Sequence, residues 1–196
     1  MNEPEVSVDL YWIPLGAGAH VVRISGAVFE ALTALVQRRR RCNLYHSALI
    51  VHVPEGRFVI EQAPIPDLNS QRRGVVGEGS VGTKCAGHFR IFRYEIRLWP
   101  DGQIADVLAA VSSPVNLSSE WATARRILEL LPSVPTPVWG RDELGTGEMW
   151  NSNSVISWVL ATSGVGVSSV RPPRYGRAPG WNAGLVVAQS RPFDIR

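Results

Sequence analysis

Two short segments carry side chains able to do chemistry. In the first, His46 stands in Tyr45-His46-Ser47-Ala48-Leu49-Ile50-Val51. Apolar residues at consecutive positions predict a strand buried on both faces. An imidazole on such a strand needs a partner, and a backbone carbonyl is enough to satisfy it. In the second, the polar tetrad Asn151-Ser152-Asn153-Ser154 opens the apolar run Val155-Ile156-Ser157-Trp158. A helix start gathers unpaired N–H groups and the positive end of the macrodipole, so a nucleophile's anion or an oxyanion is stabilised there. The same four residue types also serve as plain N-caps.

Taken together, the segments match a known pattern in residue type, element type and order. Tyr45 to Val51, followed by Phe58-Val59-Ile60-Glu61-Gln62-Ala63-Pro64, resembles the histidine hairpin of lecithin retinol acyltransferase-like proteins. Asn151-Ser152-Asn153-Ser154-Val155-Ile156 is similar to their Asn-Cys-x-x-Phe-Val helix start. Those proteins are circularly permuted relatives of the NlpC peptidases, with a papain-like fold and the histidine ahead of the nucleophile. The resemblance runs from Tyr45 to Trp158. It implies His46 as general base, Ser152 as nucleophile where relatives carry cysteine, and Glu61 as the group that orients the imidazole. The implied activity is hydrolysis or transfer at an amide, ester or thioester of a small acyl, peptide or lipid substrate, with no cofactor and no metal. The competing implication is a papain-like ligand-binding module without catalysis.

Serine in the nucleophile position changes the chemistry. A thiol with a pKa of about 8.5 becomes a thiolate beside a histidine and a helix start. A hydroxyl instead needs its proton removed during attack by a well-oriented base. A working His/Glu/Ser site, a natural loss of catalysis and a replaced cysteine all fit the sequence. The third residue is open as well. If Pro54-Glu55-Gly56 is a loop with Val53 opposite Arg57, Gln62 shares the face of His46; with Val53 opposite Phe58, Glu61 does. Glu61 is preferred and Gln62 is the alternative.

The elements that must position these residues follow from local patterns. Val6 to Ile13 and His20 to Ile24 read as strands around the Gly16-Ala17-Gly18 turn, and Tyr45 to Val53 with Arg57 to Ala63 as a hairpin. Helical spacing of apolar residues predicts helices over 26–40, from Trp121 to Leu131 ahead of Pro132, and from Ser152 to Ser163 ahead of Gly164. Gln71 to Gly87 reads as loop, Phe89 to Trp99 as a half-exposed strand, Arg171 to Gly180 as a loop-forming tail, and Gly184 to Ala188 as an edge strand. The order predicts one α+β domain over 1–196, a small antiparallel sheet against about three helices.

Composition narrows the function classes. Hydrophobic residues make up 45% of the 196, enough for one buried core. Twenty Lys+Arg against seventeen Asp+Glu give a net charge of only +3, so no nucleic-acid footprint is expected. Cys42 and Cys85 lack zinc spacing, and the glycine turn lacks a dinucleotide fingerprint. The four arginines Arg38, Arg39, Arg40 and Arg41 suit a solvated helix end, with contact to an anionic lipid surface as the alternative. A start without an apolar h-region, and no apolar stretch of about 18 residues, suggest a soluble cytoplasmic protein.

Overall fold

The β-branched and aromatic runs pair into one mostly antiparallel sheet. The computed structural model describes residues 6–15, 42–65, 73–104 and 106–190. The strand expected at 20–24, the helix expected at 26–40 and Arg38 to Arg41 lie outside them. Strands β1 (Ser7–Pro14), β2 (Asn43–Val53), β3 (Gly56–Pro64), β4 (Val75–Ser80), β5 (Arg93–Pro100) and β6 (Val115–Ser118) lie in the order β4-β5-β3-β2-β1-β6. The short β7 (Gly176–Arg177) runs parallel to the start of β2. Among the described residues three α-helices, α1 (Trp121–Leu130), α2 (Ser152–Thr162) and α3 (Trp181–Ser190), complete an α+β fold, the class the sequence predicts.

Both faces of the sheet are covered, which explains the continuous apolar run of β2. Leu49, Val51 and Val53 face the main core with Ala124 and Ile127 of α1 and Val155, Ile156 and Val159 of α2. Alternation sends Ala48 and Ile50 to the other face, where they join Ile13, Val59 and Ile104 in a smaller core.

Several local readings are corrected by packing. Gly184 to Ala188 is not an edge strand but part of α3, because Gly184 is a contact point between helices. A Cβ there would lie 2.1 Å from both the Ser154 carbonyl oxygen and Ser157 Oγ of α2. The segment read as loop at 71–87 contains β4, whose Gly79 has no side chain because the Tyr94 ring occupies that space. Residues 89–92 are not strand; 3-10 turns at Cys85–His88 and Arg90–Phe92 precede β5. The hairpin loop is shorter than either expected form, with Val53 directly opposite Gly56 and only Pro54 and Glu55 between the strands.

Candidate functional site

The start of α2 is tied down by its own polar residues. Asn151 is the N-cap, its side chain accepting from Asn153 N at 2.9 Å while Ser154 Oγ accepts from Asn151 N at 3.1 Å, a reciprocal capping box. Asn153 Nδ2 donates to the carbonyls of Tyr45 and Pro179, and its Oδ1 accepts from Ser47 Oγ at 2.9 Å. Ser154 and Ser157 donate to the carbonyls of Gly180 and Trp181, both at 2.7 Å. The tetrad thus joins α2 to β2 and to the chain entering α3. Ser152 is buried, and its hydroxyl is the only side chain of the four without a hydrogen bond to a described residue.

His46 lies where the sheet opens. The β2–β3 ladder is closed from Val53–Gly56 to Leu49–Ile60. Beyond that, β3 continues against β5 as far as the Pro64–Tyr94 pair, whereas β2 keeps β1 on one edge and meets β7 at Asn43 and Leu44 on the other. The start of α2 closes on this opening through the bond from Asn153 to the Tyr45 carbonyl. Strand alternation then separates the two candidate catalytic residues. Ser47 faces α2, so His46 shares the parity of Ala48 and Ile50, opposite Ile13 and away from that helix. Loss of water lowers the His46 pKa from 6.5 to about 4, against an upward pull from the Asp106 carboxylate. The imidazole is therefore neutral at neutral pH, and it makes no side-chain hydrogen bond to a described residue.

The register places Glu61 on the face of His46 and Gln62 on the face of α2. Glu61 is already engaged. Arg97, directly opposite on β5, pairs with it and also donates from Nε to Glu95, which in turn accepts from Arg73 Nε at 2.6 Å. Burial raises the Glu61 pKa against the opposing pull of Arg97. Burial also pushes Glu95 up, but hydrogen bonds from Arg73 and Arg97 outweigh it and hold that carboxyl below its ordinary value. The carboxylate acting on His46 is that of Asp106, in a loop whose sequence carries no periodic signal and whose backbone there is left-handed at φ 60°. Gln62, the alternative third residue, is buried, and neither amide atom has a hydrogen-bond partner among the described residues.

The remaining sequence features contribute less. His88 Nδ1 lies 3.2 Å from the Cys85 carbonyl, a local backbone contact within the 3-10 turn. Among the described residues no three His, Cys, Asp or Glu side chains gather as a metal site would require. No protein-family model, no curated protein and no solved structure matches this chain.

Proposed function

We propose that this chain is a non-catalytic ligand-binding module of papain-like descent, with its site at the opening between β2 and β3 beside the start of α2. The observation that carries this reading is the Ser47–Asn153 hydrogen bond, which turns the odd residues of β2 toward α2 and so turns His46 away from Ser152. A serine nucleophile needs a base within hydrogen-bond reach and a third group to orient that base. His46 has been made a weak base by burial, and Glu61 is committed to Arg97. What the opening offers is recognition. Gln62 presents a donor and an acceptor without partners among the described residues, and Ser152 adds a hydroxyl at the helix start. Buried polar atoms without partners cost about 1–3 kcal/mol each, a penalty that binding an amide or ester group relieves. A small acyl or peptide ligand fits that polar set.

The test uses a Ser152→Cys variant, with alkylation rate followed against pH and mass spectrometry separating the new thiol from Cys42 and Cys85. The expected thiol pKa is set by the helix start and by burial and is indifferent to His46→Ala. A depressed thiol pKa that returns to normal in His46→Ala overturns the proposal. Calorimetric titration with N-acetyl amino-acid amides supplies the positive arm, where Gln62→Ala should weaken binding by about tenfold.

A second reading, acyl transfer through Ser152, is favoured by one observation: its hydroxyl is the one the tetrad leaves out of its structural hydrogen bonds. Ester hydrolysis abolished by both Ser152→Ala and His46→Ala would establish that activity. Among the described residues no helix is long and apolar enough to cross a membrane. Cys42 and Cys85 are not joined by a disulfide, which fits the cytoplasmic setting we propose for the module.

A further inference from the structure

We propose that one end of the sheet docks peripherally on an anionic lipid bilayer, through the loop that enters β5 and the turn that leads into β7. Both segments lie at the same end. Because β5 is antiparallel to β3 and β3 to β2, the starts of β5 and β2 point to the same end of the sheet, with β3 between them and β7 on the open edge of β2. The loop at 81–92 feeds the first, and Gly176 pairs with Asn43 at the second.

Both segments hold large apolar side chains out in solvent. Phe89, Ile91 and Phe92 are 65%, 78% and 44% exposed. The loop is braced by bonds from Val81 N to the Phe92 carbonyl at 2.7 Å, Gly82 N to the Trp139 carbonyl at 3.0 Å and Ala86 N to Thr83 Oγ1 at 3.2 Å. Those bonds fix the loop with its apolar side chains facing outward. On the other segment Tyr175 is 79% exposed, with the Arg174 guanidinium 4.9 Å from its ring centre.

Charge selects the occupant. From Gly79 to Tyr94 the sequence has no acidic residue but contains Lys84, Arg90 and Arg93. Lys84 pairs with Glu143 and Arg93 with Glu78, whereas Arg90 and Arg174 have no ion pair among the described residues. Aromatic rings beside guanidinium groups suit the headgroup level of a bilayer, where rings sit in the interface and arginines meet lipid phosphates. The apolar trio exposes roughly 350 Å². That apolar area, with the ring of Tyr175, is adequate for interfacial insertion.

The experiment is cosedimentation of the full chain with vesicles of phosphatidylcholine alone and with about 30% phosphatidylserine added. Binding is expected to the anionic vesicles at low salt, to fall with added salt, and to be lost in the exposed-site variant Phe89→Ser with Ile91→Ser. Arg90→Glu and Arg174→Glu should each weaken it by at least about fivefold. Equal binding to both vesicle types, no binding to either, or indifference to the apolar pair overturns the proposal. So does concentration-dependent self-association abolished by the same pair without vesicle binding, which would assign the patch to a protein contact.

Discussion

Ser47 Oγ donates to Asn153 Oδ1 across 2.9 Å, and that single bond decides how β2 meets α2. Asn153 is the hub: its amide also donates to the Tyr45 carbonyl in the opened edge of β2 and to the Pro179 carbonyl ahead of α3. One side chain thereby fixes the strand's facing, the helix start and the entry to the next helix.

Replacing that hub should be costly. Asn153→Ala leaves the Tyr45 carbonyl and the Ser47 hydroxyl without this partner in a dry site, for an expected loss of about 3 kcal/mol in urea unfolding. Ser47→Ala removes one arm and should cost about 1 kcal/mol. Asn153→Asp places a carboxylate against two carbonyl oxygens, so its deficit should grow as pH rises through the carboxyl's titration. Equal stabilities for Asn153→Ala and wild type would show that the hub carries no load.

Gly184 should tolerate nothing larger. Its absent Cβ would stand 2.1 Å from the Ser154 carbonyl oxygen, which is backbone and cannot swing aside. Gly184→Ala should therefore separate α2 from α3 at a cost of about 2–3 kcal/mol. Gly166→Ala is the control. No atom lies within 4 Å of that Cβ, and its φ of -70° suits any residue, so its effect should stay within about 0.5 kcal/mol. Thermal unfolding of the two variants compares them directly.

Sequence patterns were most legible where one periodicity acts over a whole element. The run from Tyr45 to Val53 and the helix from Trp121 both follow from apolar spacing, and the polar tetrad marks a helix start with Asn151 or Ser152 near the cap, of which Asn151 is the one that caps. The failures share a physical cause: the deciding partner is distant in sequence. Leu185-Val186-Val187 reads as strand until Ser154 and Ser157 are seen to require a bare Gly184 beside them. Gly79 reads as loop until Tyr94 is seen to fill the space beside it, and Gly77 until Thr136 and Ile96 are seen to crowd it. The site was legible as two segments and not as an arrangement. Which face His46 occupies depends on Ser47 finding Asn153, and what Glu61 does depends on Arg97, the residue opposite it on β5.

Arg97 should prove indispensable at neutral pH. It lies between two buried carboxylates, Glu61 and Glu95, and removing it leaves both without their shared cation. Arg97→Met should cost about 3–5 kcal/mol near neutrality. The deficit should shrink on acidification, because protonated carboxyls no longer need the guanidinium. The double variant Arg97→Met with Glu61→Gln should recover part of the loss. A deficit independent of pH, followed by denaturant unfolding from neutral to mildly acidic conditions, would contradict this charge assignment.

His46 should make acid destabilising in a window of its own. In the unfolded chain the imidazole takes a proton near 6.5, whereas in the fold burial delays protonation to about 4, with Asp106 pulling weakly the other way. Acid therefore favours the unfolded state: the contribution is complete above 6.5 and is lost progressively as pH falls toward 4. The integrated loss is about 3 kcal/mol at most. Comparing wild type with His46→Gln isolates it, since the carboxylates titrate in both and only the wild type has this group. The stability difference should drift in the variant's favour by up to that amount between neutrality and the lower limit, and flatten beyond it. Asp106→Asn should push the imidazole's titration lower still, read by NMR on the ring carbons. An imidazole titrating near 6.5, or superimposable stability profiles for wild type and His46→Gln, would mean that the His46 face of the sheet is open to water.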